Sequence, residues 1–223
     1  MRVNKILMGG VMVLVSEIVW YFSKKLYSRM IRNRDVRELE RNIAEVMFFS
    51  KESKSCRVHV SGDLSCDRDT CPVRYMRKLE SCINQAGRSL DVCIYMLTCQ
   101  SLVKAIVNAH KRGVLVRVIL DAHAAENRSS DVAAFHSNGI PVKLERIDGM
   151  MHHKFLIVDR EIIITGSMNW TMAAFFGNWE NLIVSNQNWL VKPFVDEFDR
   201  LWHSSPNSPD FVPKIPKFTV FDR

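Results

Sequence analysis

Apolar residues in the middle of the chain recur with two periods, one typical of strands and one typical of helices. Strand-like apolar runs lie at 46–49, 90–97, 114–120, 140–144, 155–158 and 162–165. Apolar residues at helical spacing occupy 73–86, 102–110, 131–138 and 190–202, and the charged segment 35–45 is also expected to be helical. Strands that alternate with helices predict an α/β fold with one sheet and flanking helices.

The amino-terminal segment has a different pattern. An apolar run from Ile6 to Phe22, interrupted by Glu17, is long enough as a helix to cross most of a bilayer core. More Lys and Arg residues follow the run than precede it, which predicts a membrane anchor with the body of the protein in the cytosol. A secretory signal peptide is the alternative, but no small-residue cleavage site precedes Trp20. We therefore expect an anchor and its basic flank at 1–34.

Length and charge limit the organisation of the chain beyond the anchor. The chain has 223 residues, 47% of them hydrophobic, enough for one catalytic domain, expected at 35–204, before an irregular proline-containing tail at 205–223. The formal net charge is +7, but most of the excess lies in the first 37 residues. A basic substrate groove would therefore depend on local arrangement. The available cations are Lys104, Lys111, Arg112, Arg117, Arg128, Lys143 and Arg146.

A polar segment at 50–72 contains four potential metal ligands, Cys56, His59, Cys66 and Cys71. The segment has little apolar material to bury, so one tetrahedral zinc ion would organise it as a small structural module inserted after the first strand. Disulfides and free thiols are the alternatives. A cytosolic body meets reducing conditions, which favours zinc over disulfides.

One short stretch gathers a nucleophile, a cation and small hydrogen-bond donors. His152, Lys154 and Asp159 form a His-x-Lys-x4-Asp pattern, and a Gly-Ser-x-Asn pattern begins at Gly166. Strand alternation through the apolar run 155–158 predicts that His152 and Lys154 share one face. Each half of this pattern is common by itself, whereas the combination predicts a phosphodiesterase site.

The residue types explain the expected chemistry. A neutral imidazole of His152 can attack phosphorus and form a covalent phosphohistidine. Lys154 would bind the phosphoryl oxygens, and Ser167 and Asn169 would donate hydrogen bonds to the developing charge, so that no catalytic metal is required. Glu180 is a candidate to fix the second ring nitrogen of His152.

These motifs resemble those of the phospholipase D superfamily. The single motif copy, the Met-His-His-Lys start, the Gly-Ser-Met-Asn-Trp block and the apolar anchor are similar to its Zucchini subfamily, over the chain as far as about Trp202. The resemblance implies a mixed β-sheet flanked by helices, and it strengthens the zinc interpretation. It also implies a supporting rather than a chemical role for Asp159, which matches the motif.

The resemblance further implies a function. The protein is expected to be a metal-independent, single-strand-specific endoribonuclease that cleaves piRNA precursors at the mitochondrial outer membrane and leaves 5′-phosphates. The same chemistry acts on any phosphodiester, so a cardiolipin hydrolase that produces phosphatidic acid is the alternative. A non-enzymatic tether is a third hypothesis, which the complete set of catalytic residues disfavours.

Two further expectations concern the surroundings of the site. The polar loops around the motif favour RNA over lipid, and the apolar pair Phe175 and Phe176 is expected to pack inside a helix rather than to contact a membrane. The mechanism needs a second group to protonate the leaving oxygen, and the chain has one motif histidine. We therefore expect a homodimer in which both His152 side chains face one phosphate.

Overall fold

The computed structural model describes residues 19–26, 42–62, 66, 68–126 and 129–204. The chain divides into two compact units, Met1–Ile43 and Ala44–Arg223. In the first unit, residues 19–26 are helical and expose Trp20, Tyr21 and Phe22. Most of the expected anchor and the whole 205–223 tail lie outside the described residues. Among the residues that are described, no helix combines the length and apolar character needed to cross a membrane.

The described part of the second unit is built on a seven-stranded mixed sheet. The strands in chain order are β1 Ala44–Phe49, β2 Ser89–Ile94, β3 Leu115–Asp121, β4 Val142–Glu145, β5 Lys154–Val158, β6 Ile162–Gly166 and β7 Glu180–Ser185. Their spatial order is β1-β7-β6-β5-β2-β3-β4. The β2–β3 and β3–β4 pairs are parallel, and the other pairs are antiparallel. This architecture confirms the prediction of an α/β fold with a mixed sheet.

Helices flank the sheet close to the segments that the apolar spacing predicted. They are a 3₁₀ helix at Lys51–Val60, followed by α1 Pro72–Asn84, α2 Gln100–Lys111, α3 Ala122–Glu126, α4 Ser129–Ser137, α5 Met172–Gly177 and α6 Asn188–His203. Pro72 suits the first turn of α1 because no intrahelical N–H bond is required there. The 3₁₀ helix and the short α3 were not anticipated from the sequence.

One predicted helix is wrong at its carboxyl end. Residues 44 and 45, expected to finish a helix begun at 35, instead open β1, where Ala44 pairs with Ser185 and Glu45 with Val184 of β7. The charged composition indicated a helix, but the backbone hydrogen bonds that β7 offers decide the conformation. Residues 35–41 lie outside the described part of the chain.

The core around β5 explains why its sequence is continuously apolar. All five residues of β5 are buried, as is typical of a strand covered on both faces. Helix α6 supplies Val191, Val195 and Phe198 to the apolar cluster that contains Phe155. This packing holds β5 rigidly between β2 and β6 and fixes the position of the motif at its amino-terminal end.

Several strand ends meet at one edge of the sheet. Lys154 begins β5 and pairs with Ile94, the last residue of β2. Gly166 ends β6 and pairs with Leu182 near the start of β7. Because these strands alternate in direction, the residues that follow β2 and β6 lie beside those that precede β5 and β7.

Candidate active site

His152 and Lys154 contact the same aromatic ring. His152 lies in the segment before β5 and is exposed, and its ring centroid is 4.9 Å from that of Tyr95. The Nζ atom of Lys154 lies 5.3 Å from the Tyr95 centroid and donates a 2.8 Å hydrogen bond to the carbonyl oxygen of His152. The ring and the backbone therefore hold the candidate nucleophile and the candidate phosphate-binding cation close together, partly through a cation–π contact.

Lys154 is a buried cation with donors to spare. Only 7% of the residue is exposed. Burial lowers the pKa of the Lys154 ammonium, while the nearby Glu180 carboxylate acts in the opposite direction. An ammonium has three donors, and the described hydrogen bonds use one of them, to His152. The remaining donors are suited to an anionic ligand such as a phosphoryl group.

Ser167 and Glu180 belong to one hydrogen-bonded group. The hydroxyl of Ser167 donates to Oε2 of Glu180, and the Asn178 amide donates to Oε1 over 3.0 Å. The backbone N–H of Asn181 in turn donates to the Ser167 oxygen over 3.1 Å. Both carboxylate oxygens are thus engaged, and His152 contacts Tyr95 instead. Within this single chain, the expected hydrogen bond from His152 to Glu180 is not formed.

Gly166 and Asn169 shape the segment between β6 and α5. A Cβ atom at Gly166 would lie 2.1 Å from the carbonyl oxygen of Asn181, so only glycine allows this approach of β6 to β7. The Oδ1 atom of Asn169 is buried and has no hydrogen-bond partner in the described structure. A buried carbonyl oxygen without a partner is uncommon in folded proteins, and this one can accept a hydrogen bond from an N–H or O–H group.

Asp159 lies away from the other motif residues. It follows the last residue of β5, about 16 Å along the strand from Lys154 at the usual rise per residue. Its carboxylate accepts backbone hydrogen bonds from Gly87 (3.0 Å), Arg88 (2.7 Å) and Ser89 (2.8 Å), and these bonds contribute to a lowered pKa, against burial, which raises it. Asp159 is thus separate from the group formed by His152 and Lys154, and its inclusion among the catalytic residues stays a prediction. This position suits a supporting role in which Asp159 ties the β5–β6 turn to the start of β2.

Two residues at the site edge were not identified from the sequence. Tyr95 follows β2 and contacts both His152 and Lys154. Asp121 ends β3, is 1% exposed, and accepts hydrogen bonds from the backbone N–H groups of Met151 (3.0 Å) and Ala124 (2.8 Å). The sequence signal that could have identified both is a polar or aromatic residue at the end of an apolar strand.

Most of the cations proposed for a substrate groove are engaged within the protein. Arg117 binds Asp91 at 2.7 Å and Asp199 at 3.1 Å with only 12% of its side chain exposed. The others with internal partners are Arg112 with the carbonyl of Asn84, Lys143 with Glu145 and Ser204, and Arg146 with Glu126. Arg117 and Lys143 are thus held by internal partners, whereas Arg112 and Arg146 are exposed and their role in a groove stays a prediction. Arg128 lies outside the described residues, and Lys104 and Lys111 are exposed on α2.

A cleft of about 450 Å³ opens beside Glu180. It is lined by Phe48, Phe49, Ser50, Ser53, Thr70, Trp179, Glu180 and Asn181. Two of its aromatic residues face solvent, with 67% of Phe48 and 71% of Trp179 exposed. The cleft thus combines exposed ring faces with hydroxyl and amide groups next to the site.

The apolar surface near the site differs from expectation in one respect. Ile147 and Met150, in the loop that leads to His152, are 50% and 59% exposed. No apolar loop was expected there from the sequence, and this expectation is wrong. Phe175 and Phe176 are buried in α5, as predicted, and Phe175 packs edge-on against Phe49 at 5.7 Å.

The four predicted metal ligands converge. One ligand atom from each of Cys56, His59, Cys66 and Cys71 lies within 4.8 Å of all the others. The sulfurs of Cys56 and Cys66 are 3.9 Å apart, close to the roughly 3.8 Å that two thiolates reach on one tetrahedral zinc ion. Nδ1 of His59 is buried and has no hydrogen-bond partner within the described residues. The donor set and its spacing fit a zinc ion.

Comparison with known proteins agrees with this site. Residues 79–202 match the family model described as cardiolipin synthase, PLD-like domain. The chain belongs to the phospholipase D superfamily. The matched segment of this superfamily member contains β2 to β7 and every residue of the His-x-Lys-x4-Asp and Gly-Ser-x-Asn motifs.

The curated relatives of this phospholipase D superfamily member share one name. A protein called mitochondrial cardiolipin hydrolase in Xenopus tropicalis is 34% identical over 197 residues, which cover 86% of this chain and 90% of the relative. The human protein of the same name is 37% identical over 57% of this chain and 51% of the relative. The Drosophila melanogaster protein of that name is 28% identical over 86% of this chain and 85% of the relative.

Solved structures of the superfamily have the same fold. Nuc of Salmonella typhimurium, titled a phospholipase D family member, has a TM-score of 0.56 and 28% identity, covering 72% of this chain and 94% of Nuc. NucT of Helicobacter pylori also has a TM-score of 0.56, at 20% identity over 73% of this chain and 97% of NucT, and supports the fold alone. With the family established and His152, Lys154 and the Gly-Ser-x-Asn segment at one sheet edge, the protein is a phosphodiesterase of this superfamily.

Proposed function

We propose that the protein cleaves single-stranded RNA through a phosphohistidine on His152, without a catalytic metal ion. The observation that carries the proposal is the shared contact of the exposed His152 and the buried Lys154 with Tyr95. In this arrangement the proposed nucleophile lies beside a cation that has free donors. The Nδ2 group of Asn169, on the same edge, is the proposed second donor to the phosphoryl oxygens.

The proposed reaction has two displacements. In the first, a ring nitrogen of His152 bonds to phosphorus, the bond from phosphorus to the 3′-oxygen breaks, and that oxygen takes a proton from a second imidazole. In the second, water gives a proton back to that imidazole and attacks phosphorus, and the P–N bond breaks. The products carry a 3′-hydroxyl and a 5′-phosphate. Lys154 and Asn169 stabilise the phosphoryl oxygens in both steps.

Single-stranded RNA is the favoured substrate because of the neighbouring cleft. Exposed aromatic faces such as those of Phe48 and Trp179 are the usual platforms for unpaired bases. The similarity of the motifs to the Zucchini subfamily supports piRNA precursors as the RNA. That similarity, and the names of the relatives, also support attachment to the mitochondrial outer membrane with the catalytic domain in the cytosol.

Cardiolipin hydrolysis to phosphatidic acid is the second candidate function. The curated relatives are named for this lipid. The specific observation in its favour is the exposure of Ile147 and Met150 directly before His152, because apolar side chains on a loop can enter a lipid surface.

A direct comparison of the two substrates tests the proposal. The purified chain is expected to cleave single-stranded RNA at a rate that survives brief exposure to EDTA, since no step requires a divalent ion. If one Lys154 from each of two chains contacts phosphate, raising salt from 50 to 200 mM is expected to weaken RNA binding roughly sevenfold. Cardiolipin vesicles are assayed under matched conditions. Rapid lipid turnover without RNA cleavage would assign the site to the second candidate.

We further propose that the active form is a homodimer. His153 does not supply the second imidazole in this chain, because its Nε2 faces Glu197 at 3.5 Å and its ring packs on Phe155. Another copy of His152 is the available proton donor, which requires two chains around one phosphate.

The dimer proposal predicts the sedimentation mass of the active species and the activity of a mixture of two inactive variants. Sedimentation is expected to give twice the 25.8 kDa chain mass for the active species. Mixing a His152→Ala chain with a Lys154→Ala chain is expected to restore little activity, because the shared site would still lack one histidine and one lysine. Full activity in a fraction that sediments as a monomer would contradict the proposal.

The Cys/His cluster is proposed to bind one structural zinc ion. Cys56, His59, Cys66 and Cys71 would supply a closed set of four ligands, and the ion would hold the polar 50–72 segment in place. The 3₁₀ helix in this segment packs against α1 and α5, so the module supports one wall of the cleft.

A further inference from the structure

The cleft beside Glu180 exposes two large aromatic side chains that the core does not need. Trp179 precedes β7 and is 71% exposed, and Phe48 on the edge strand β1 is 67% exposed. Side chains this exposed contribute little to the stability of the core. Phe48 lies directly opposite Asn181 in the β1–β7 pair, so both aromatic residues border the same short stretch of β7.

The cleft is connected to the phosphate-binding residues through one side chain. Glu180 lines the cleft, accepts a hydrogen bond from Ser167, and raises the pKa of Lys154 against the effect of burial. Glu180 therefore borders both the cleft and the hydrogen-bonded group that contains Ser167.

The lining chemistry favours a neutral aromatic ring over a second phosphate. None of the eight lining residues is Lys or Arg, and the one charged residue is the Glu180 carboxylate. A phosphate would be repelled there, whereas the N–H groups of a base can donate to Glu180, Asn181 or the hydroxyl of Ser53. The volume of about 450 Å³ lies within the range of small-ligand sites.

We propose that this cleft is a base-binding subsite, in which Trp179 and Phe48 stack on an unpaired nucleobase adjacent to the scissile phosphate. The inference rests on the proposed function and adds to it the position at which the RNA strand is held. Because bases of every type have a stacking face, the subsite selects unpaired RNA over duplex rather than one sequence.

The test measures RNA binding separately from cleavage. The full chain in detergent micelles carries His152→Ala, and its affinity for a single-stranded oligonucleotide is measured by fluorescence anisotropy. Adding Trp179→Ala is expected to weaken binding about tenfold, and Trp179→Phe to restore most of it. Phe48→Ala is expected to have a smaller effect, about threefold. Trp189→Ala is the matched control, since Trp189 is 75% exposed at the start of α6 and does not line the cleft.

An oligonucleotide series with one abasic position identifies the base. Removing the base next to the cleavage position is expected to weaken binding to the Trp179 parent about tenfold and binding to the Trp179→Ala chain by less than twofold. Equal losses in both chains, or equal affinities of the Trp179→Ala and Trp189→Ala chains, would overturn the inference. So would a halved sedimentation mass of Trp179→Ala, which would assign the surface to contact with a second copy.

The proposed function is tested by a different measurement from the one that tests the cleft. Cleavage of intact RNA by the unmodified chain tests that function, whereas the binding series tests the cleft. Trp179-dependent binding without cleavage would retain the subsite and reject RNA hydrolysis. Cleavage at the same rate with and without the Trp179 side chain would retain RNA hydrolysis and reject the subsite. Loss of cardiolipin turnover alone in Trp179→Ala would show that the cleft binds lipid, and would overturn the proposed occupant.

Discussion

Replacing His152 with alanine is expected to reduce phosphodiester hydrolysis by at least roughly 1,000-fold, because it removes the atom that bonds to phosphorus in the proposed mechanism. The loss is expected in kcat on any phosphodiester that the protein accepts. Because the ring of His152 is exposed and packs on Tyr95 at the surface, its removal leaves the packed core intact. The thermal midpoint of unfolding is therefore expected to change little.

His153→Ala is the matched control for this experiment. His153 is the adjacent residue, is also exposed, and interacts with Glu197 and Phe155 rather than with Tyr95. Its replacement is expected to retain activity within about fivefold, the usual size of an effect on positioning rather than chemistry. Similar losses in the two variants would contradict the assignment of the nucleophile to His152.

The covalent intermediate gives a second readout. After cleavage at the 3′-oxygen, the fragment on the enzyme is the one with the new 5′-phosphate, so RNA labelled at its 3′ end is expected to label the protein. Such labelling is expected to be absent from His152→Ala and present in His153→Ala. Steady-state cleavage without any trapped adduct in single-turnover experiments would argue for direct attack by water.

The strands and helices could be predicted because apolar residues recur along this sequence at the spacing of strands or of helices. The five residues of β5 are all apolar or, in the case of Lys154, buried through a long side chain, and this continuous pattern marks a strand covered on both faces. The same reasoning failed for Ala44 and Glu45. Their conformation depends on pairing with β7, about 140 residues away, for which the local sequence carries no signal.

The site could be predicted only in part, for a related reason. The closeness of His152 and Lys154 follows from their spacing, but the approach of Tyr95 depends on the pairing of β2 with β5. Asp159 belongs to the motif in sequence but is distant from His152 and Lys154 in space, because β5 separates them and its carboxylate binds the loop before β2.

Which of the proposed groove cations are available could not be predicted, because a cation's role depends on its partners. The sequence gives no sign that Arg117 is paired, but its guanidinium binds the buried carboxylate of Asp91 and the partly buried carboxylate of Asp199. Lys154 is the buried cation to which phosphate binding is assigned in the proposed function. On that proposal, RNA recognition depends more on exposed aromatic surface than on Arg117 and Lys143.

Replacing one ligand of the Cys/His cluster is expected to remove the metal and loosen the module. The native chain is expected to contain about one zinc ion, and Cys71→Ser well below half of that, because three remaining ligands leave the tetrahedral shell open. Cys71 is buried directly before α1, so metal loss is expected to expose the 50–72 segment to limited proteolysis. Zinc content is measured by mass spectrometry of the metal after exhaustive dialysis.

Cys82→Ser separates the loss of a ligand from the loss of a cysteine. Cys82 lies within α1, is partly buried and is not one of the four clustered residues, so this variant is expected to keep its zinc and its protease resistance. Activity gives a further distinction. Because none of the four ligands contacts His152 or Lys154, Cys71→Ser is expected to retain phosphohistidine formation while its affinity for RNA falls with the disordered wall of the cleft. A chain purified from zinc-supplemented medium without bound zinc, and with all four ligands intact, would contradict the metal site itself.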